Sequence, residues 1–486
     1  MTPEKKYTCY GIMTIIGGMM IHFTYGYYYT CANMTPYLLS YTVERVDANV
    51  NRKLTIWLSA LALVGQGLTM PLGGLGARKI GFRPIVAISC IADSFSILIA
   101  NVAVKHNFAW VLITYGLLQG LGLGLGYSVV LSHAASWFPS KRALVVGLTL
   151  AGFGMGALVF TPIQTGFINP NNEKVDSVKK VFTDQSLLDR VPPCLLLCGG
   201  ILLGIQIIGF GLMRERPKKV THEEVNEKYD EGEKEKHEKL KLAEIQEVNM
   251  GPKEAVTCVD FYLCCLIMCL IAVPVTIISS AYKLFGQEYI FDDRFLSAVA
   301  TTSSVFNTVG RVAWGAIADK ASFKFPLCIL LAVWATFLIT FPHLYHADET
   351  SLKGLYATWV FIIWFCLSGV FVLMPAATAT LFGQKYMATN YGIIFAAFSF
   401  GSLLCGLFNT FLPGHISYLA QFSACAAVTL AALLCAIWYR DQKINWKLDI
   451  CRLCSDQCNR FRKQEQDYKK EDRICYKPEV YASILS

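Results

Sequence analysis

The chain has 486 residues, 54% of them hydrophobic and only 16% charged, and its mean hydropathy is +0.43. A soluble domain of this size cannot keep so much apolar surface from water, so the composition excludes one and points to a bilayer as solvent. The formal charge of +8 is modest and its Lys and Arg residues gather on particular loops, which is a pattern of membrane orientation and not of nucleic-acid binding.

Apolar runs long enough to cross about 30 Å of hydrocarbon lie at roughly 9–39, 54–77, 84–104, 108–134, 144–167 and 191–213. After a polar segment they resume at roughly 258–284, 295–318, 325–344, 354–382, 390–412 and 416–439. The pattern predicts an all-α membrane protein of twelve transmembrane helices in two pseudo-symmetric six-helix bundles, 1–213 and 258–440. A charged linker at 214–257 joins them and a tail at 441–486 follows. The start, Met1 to Lys6, leads straight into the first apolar run without a small-residue cleavage site.

An even number of spans puts both termini on one face. Loops on that face carry Arg78, Lys79, Arg83, Lys141, Arg142, Lys320, Lys324 and Lys385, against the acid Asp319. Those on the other face mix Glu44, Arg45, Asp47, Asp292, Asp293, Arg294, Asp348, Glu349 and Lys353. The positive-inside rule then sets both termini and the linker in the cytoplasm. The plasma membrane is the default location, with a mitochondrial or other organelle membrane as the alternative. The triplet Asn33-Met34-Thr35 falls within the first span and is expected to stay unglycosylated.

Most cysteines, among them Cys264, Cys265, Cys269, Cys366 and Cys405, sit inside apolar runs, where Cys acts as a small hydrophobe. The linker is rich in Lys and Glu with opposite charges at i,i+4, such as Glu224 and Lys228, the mark of a solvated segment with some interfacial helix. Cys451, Cys454 and Cys458 in the tail lack the second pair and the nearby His of a metal site. They suit palmitoylation, or a tail left reduced and unmodified. Neither a metal nor a cofactor is expected, and no nucleophile–base set suggests an enzyme.

Two pieces of sequence recur. Gly73-Gly74-Leu75-Gly76-Ala77-Arg78-Lys79 answers Gly315-Ala316-Ile317-Ala318-Asp319-Lys320, and the intervals Gly73 to Pro84 and Gly315 to Pro326 are equal. Phe138-Pro139-Ser140-Lys141 answers Phe382-Gly383-Gln384-Lys385. Small residues let helices meet closely and basic ones anchor the turn, so Arg78, Lys79, Asp319 and Lys320 are the expected cytoplasmic gate. A repeat of this kind predicts a site near the midplane where the halves meet, opened alternately to either side.

This two-half pattern resembles the major facilitator superfamily, and its detailed motifs resemble the oxalate–formate antiporters and monocarboxylate transporters. The matching stretches run from Tyr127-Ser128 to Trp137-Phe138-Pro139-Ser140-Lys141-Arg142, then Gly152-Phe153-Gly154-Met155-Gly156-Ala157 and Tyr282-Lys283-Leu284-Phe285-Gly286-Gln287. Gly310-Arg311, Pro375-Ala376-Ala377, Phe382-Gly383 and Asn390-Tyr391-Gly392 complete them. Although Gly152 to Ala157 has the look of a dinucleotide-binding run, it lies inside an apolar helix with no preceding strand, so helix packing is the expectation. The same holds for Gly116, Gly120 and Gly124.

Arg311, in the eighth span, is the candidate for substrate contact. A guanidinium at that depth costs about 3 kcal/mol on insertion scales and must face a cavity or a partner. Its counterpart in the repeat is Thr69, so the scaffold does not require a charge there. Guanidinium matches carboxylate bidentately and stays charged, and the resemblance implies anion binding at this motif position. The alternatives are an Arg that snorkels to the surface or pairs with Asp319 as a lock.

Two departures from the related families narrow the substrate. Phe398 stands where the antiporters carry a lysine, and a single fixed cation suits a monocarboxylate better than oxalate. Asn307 stands where monocarboxylate transporters carry an aspartate, and Tyr29 where they carry a lysine, so their proton mechanism does not transfer. His22, His133 and Asp93 are the replacement candidates for coupling to a proton; each also suits plain helix packing, which is favoured for Asp93 in the usually peripheral third helix. Tyr25 and Tyr29 share a helical face at i,i+4 and could line the pathway with Gln119, Tyr127 and Ser128. Lys283 suits an interfacial anchor.

The expected function is therefore transport of a small organic anion, a monocarboxylate, by alternating access. A facilitator of neutral or amphipathic solutes and a non-transporting carboxylate sensor are the alternatives. Besides that anion and the lipid bilayer no partner is implied, and uniport, proton symport and counter-anion exchange stay open.

Overall fold

The computed structural model describes residues 3–50, 52–171, 173, 176, 181–215, 249–290, 293–346, 348–411 and 417–438. Most of the linker and the Cys451–Cys458 tail therefore lie outside the described residues. Each expected span is a helix. In the first half these are α1 (Pro3–Tyr25) with α2 (Cys31–Arg45), α3 (Ile56–Ile80), α4 (Phe82–Ala103), α5 (Phe108–Val111) with α6 (Gln119–Ser136), α7 (Arg142–Ile168) and α8 (Gln185–Leu212). After the short α9 (Pro252–Ala255) come α10 (Val259–Tyr289), α11 (Asp293–Ala321), α12 (Lys324–Thr340), α13 (Glu349–Phe382), α14 (Met387–Phe411) and α15 (Tyr418–Ile437). Ten of the twelve spans are long and apolar enough to cross a membrane; the segmented first span and polar α11 are the others.

Local chemistry sets the helix ends. Asp184, Asp348 and Ser417 cap α8, α13 and α15 through side-chain oxygens that accept from Leu187, Ser351 and Ala420 N–H groups. Gly81 (φ 88°) and Gly383 (φ 86°) follow α3 and α13 in a conformation closed to most side chains. Both glycines sit at the end that carries the basic loops, called here the basic end.

The halves meet along two seams, α3 against α14 and α7 against α11, in keeping with the repeat. Each seam depends on close backbone approach. A Cβ on Gly74 would strike Thr389, one on Gly147 the Arg311 carbonyl, and one on Gly315 the Ala143 carbonyl. At the basic end the second seam is tied by charge: Asp319 accepts from Ala143 N–H (2.9 Å) and Leu144 N–H (2.8 Å), free donors at the start of α7. Across the first seam Gln384 donates to the Ser132 carbonyl (2.8 Å) and the Arg78 guanidinium lies 3.7 Å from the Tyr386 ring centre. The two halves are thus tied together at the basic end.

The glycine runs are packing surfaces, as expected. Gly116, Gly120 and Gly124 lie against Leu58, Ala62 and Gln66–Thr69 of α3, while Gly152 and Gly156 receive Met19 and Gly26. A leucine at Gly120 would overlap the Ala62 carbonyl, whereas Gly200 is exposed with nothing within 4 Å of a Cβ. Gly120→Leu is expected to lower the melting midpoint in detergent by about 5 °C or more. Gly200→Leu should leave it within about 2 °C, both read by scanning fluorimetry.

Candidate functional site

The first span does not run as one helix. Between α1 and α2, Gly26–Thr30 forms a 3-10 turn, where Gly26 meets the backbone of Phe153 and Gly156 so closely that a Cβ would overlap the Phe153 carbonyl. At about 120° per residue this turn sends successive side chains in three directions. Tyr27 enters the first half between Tyr115 and Phe160, while Tyr29 meets Phe153 and the second half. The expectation that Tyr25 and Tyr29 share a face is corrected here. Tyr25 instead turns to α4, its hydroxyl 2.6 Å from that of Ser89.

Arg311 is 1% exposed, deep between the halves, so it does not snorkel. Its Nε donates to Asn307 Oδ1 (3.0 Å) and its Nη2 to the Tyr29 hydroxyl (3.3 Å), the latter bond joining the halves. Asn307, one turn earlier on α11, is held in turn by its Nδ2 donating to the Trp364 carbonyl (3.5 Å). Nη1 is buried and has no hydrogen-bond partner among the described residues. Nor does Arg311 pair with Asp319, whose oxygens are taken by the α7 backbone. Among the described residues no carboxylate pairs with this guanidinium.

Aromatic side chains close a ring about it. The guanidinium carbon lies 5.6 Å from the Phe153 ring centre and 5.8 Å from that of Phe371. From Phe153 contact passes to Tyr127 (5.8 Å), to Phe395 (6.0 Å), to Phe398 (5.2 Å) and back to Phe371 (5.5 Å). Tyr127 and Tyr391 are both within electrostatic reach of Arg311, and the buried Tyr391 hydroxyl has no partner among the described residues. The surroundings of Arg311 thus offer one fixed positive charge, an N–H without a partner among the described residues, several hydroxyls and aromatic faces. Phe398 is one of those aromatic neighbours, in contact with Phe371 and Phe395.

His22 packs against Tyr127 (5.0 Å) and Tyr25 (5.5 Å), and its Nδ1 lies 3.0 Å from the Gly18 carbonyl. A carbonyl only accepts, so Nδ1 carries a proton, while Nε2 is buried without a hydrogen-bond partner among the described residues. The other coupling candidates are elsewhere. His133 stacks on Phe82 (3.7 Å) at the basic end with Nε2 2.8 Å from the Arg214 carbonyl. Asp93 lies within the first half, where Gln206 Nε2 donates to its Oδ2 (2.8 Å) and to Thr24 Oγ1 (2.9 Å), so three spans are tied together. Gln119 and Ser128 are buried, each with a polar atom that has no partner among the described residues. Lys79 and Lys320 are exposed at the basic end.

Phe153, Phe371, Phe395 and Tyr391 were not singled out by sequence reasoning. Each stands in a span that is apolar on every side, where periodicity does not separate a chamber wall from a packing contact.

The pattern of the family described as Major Facilitator Superfamily matches residues 11–248 and 264–447. The chain is 26% identical to apicoplast pyruvate carrier 1 of Toxoplasma gondii over 89% of each protein. It is 22% identical to the oxalate:formate antiporter of Oxalobacter formigenes, covering 66% of this chain and 67% of that one. A shorter match, 27% identical over 23% of this chain and 26% of the other, is to monocarboxylate transporter 13 of Rattus norvegicus. Among solved structures, the proton:xylose symporter XylE shares the fold with a TM-score of 0.60 at 14% identity, over 89% of this chain and 95% of its own.

A buried cation without a counter-charge among the described residues is a burden on stability. Arg311→Met is accordingly expected to raise the melting midpoint of the solubilised protein by a few degrees, for about 1–3 kcal/mol. A clear fall in scanning fluorimetry would instead assign the arginine to the scaffold.

Proposed function

Since this chain belongs to the Major Facilitator Superfamily, we propose that it moves a small organic monocarboxylate across a membrane by alternating access, with Arg311 receiving the carboxylate. The observation that carries this reading is the guanidinium buried between the halves with an unpartnered Nη1 and no carboxylate beside it among the described residues. A monoanion makes the complex neutral. A dianion would leave a net negative charge in low dielectric, where no second cation replaces the Phe398 ring. The apolar remainder of a substrate such as pyruvate suits the walls of Phe153, Phe371 and Phe395.

The same contacts supply a route from binding to movement. Arg311 belongs to the second half and Tyr29 and Tyr127 to the first, so a carboxylate held by all three draws the halves together around itself. The names of the relatives, which refer to pyruvate, oxalate and formate carriers, agree with the anionic class. In this reading the basic end faces the cytoplasm and is closed, so that substrate enters from the opposite side.

Reconstituted in liposomes, the wild-type chain should take up labelled pyruvate saturably. Removal of one partner from a buried charge pair costs about 2–5 kcal/mol, so Arg311→Gln should lower kcat/KM by at least about 30-fold. Undiminished saturable uptake by Arg311→Gln would remove this arginine from the site.

A further inference from the structure

Arg311 is not the one group of its surroundings left without a partner. Tyr391, on α14, is fully buried, and its hydroxyl has no hydrogen-bond partner among the described residues. The helix is fixed there, since a Cβ on Gly392 would strike the Met70–Pro71 backbone of α3. The Tyr391 ring meets Phe395 edge-on (6.1 Å), and Phe395 belongs to the aromatic ring about the guanidinium. A hydroxyl kept from water without an acceptor is destabilising, and a phenylalanine would fill the same space without that cost.

Tyr391 stands differently toward the charge from the two tyrosines of the first half. The Tyr29 hydroxyl accepts from Arg311 Nη2 (3.3 Å), and that of Tyr127 is in hydrogen-bonding as well as electrostatic reach of the guanidinium. Tyr391 is in electrostatic reach of both Arg311 and Tyr127 but has a hydrogen bond to neither. A carboxylate seated on Nη1 therefore has Tyr29 and Tyr127 beside it as hydroxyl donors, and Tyr391 is left for the next atoms of the substrate. A hydroxyl carries no charge, so it matches a neutral oxygen there: an oxo or hydroxyl group accepts from it and a methylene does not. The other neighbours, Phe153, Phe371 and Phe395, offer carbon surfaces only.

We propose that Tyr391 is a specificity-determining residue of this site, whose hydroxyl donates to an oxygen on C2 of the substrate, so that monocarboxylates oxygenated at C2 are selected over simple ones. The proposal rests on the reading of Arg311 as the carboxylate site and adds a second, uncharged point of recognition to it. Arg311 lies on the α7–α11 seam and Tyr391 on the α3–α14 seam, so a substrate held at both its carboxylate and its C2 oxygen touches both lines along which the halves meet.

The test is a calorimetric titration of the purified full-length protein with pyruvate, lactate and propionate. These acids share one carbon skeleton and differ at C2, which carries an oxo group, a hydroxyl group or hydrogen alone. The wild type should bind pyruvate and lactate about tenfold more tightly than propionate, the effect of one neutral hydrogen bond. Tyr391→Phe removes the hydroxyl and keeps the ring on Phe395. It should weaken pyruvate and lactate about tenfold and leave propionate within about twofold. Its melting midpoint without ligand should not fall, because the hydroxyl has no bond among the described residues to lose. Arg311→Gln should weaken all three acids alike. Equal weakening of all three by Tyr391→Phe, or undiminished binding of pyruvate and lactate, overturns the role given to Tyr391 and leaves the carboxylate site standing. Undiminished binding of all three by Arg311→Gln, or of none by the wild type, removes the carboxylate site and the proposal with it.

Discussion

A guanidinium that cannot lose its proton lies almost wholly out of water between the two halves, without a carboxylate to neutralise it among the described residues. Asn307 and Tyr29 give it hydrogen bonds but no charge. Burial of a lone cation is among the most costly arrangements available to a membrane protein, and its neighbours follow from that cost. Asn307 is braced on α13, Tyr29 is turned toward Arg311 by a local break in the first span, and aromatic faces supply weak cation–π attraction without competing for the charge. In the proposed function an anion from outside would complete the set.

The scaffold around this charge is close to symmetric. Each seam joins the second helix of one half to the fifth of the other, through glycines that bring backbones into contact. At the position equivalent to Arg311, Thr69 is engaged by the carbonyls of Gly65 and Leu121 and stays within its own half. Arg311 is thus a departure from the repeat, and it stands on the α7–α11 seam: the Arg311 carbonyl lies against Gly147, and Asn307 against Gly154.

The spans, the repeat and Arg311 as a charge within an apolar run were legible in the sequence because hydropathy, charge bias and a lone charged residue are signals of composition. The break at Gly26–Thr30 was not. It depends on Gly26 meeting Gly156 across the bundle, a tertiary contact that local propensity does not encode, and so Tyr25 and Tyr29 were assigned one face instead of two. The aromatic ring was illegible for another reason, since Phe371 or Phe395 in a uniformly apolar helix looks the same whether it lines a chamber or packs against a neighbour. Asp319 was marked as a gate residue, but its partners are the backbone N–H groups of Ala143 and Leu144, which no side-chain pattern reveals.

The central claim is that one buried positive charge selects one negative charge, and equilibrium binding tests it without any assumption about transport. Labelled pyruvate bound to the purified protein would be displaced by acetate, by oxalate and by pyruvamide, which keeps the shape of pyruvate without its charge. Displacement by the monocarboxylate, with pyruvamide and oxalate each weaker by about tenfold or more, is the predicted order. Pyruvamide displacing pyruvate as well as acetate does would contradict the account, because the site would then be reading shape and not charge.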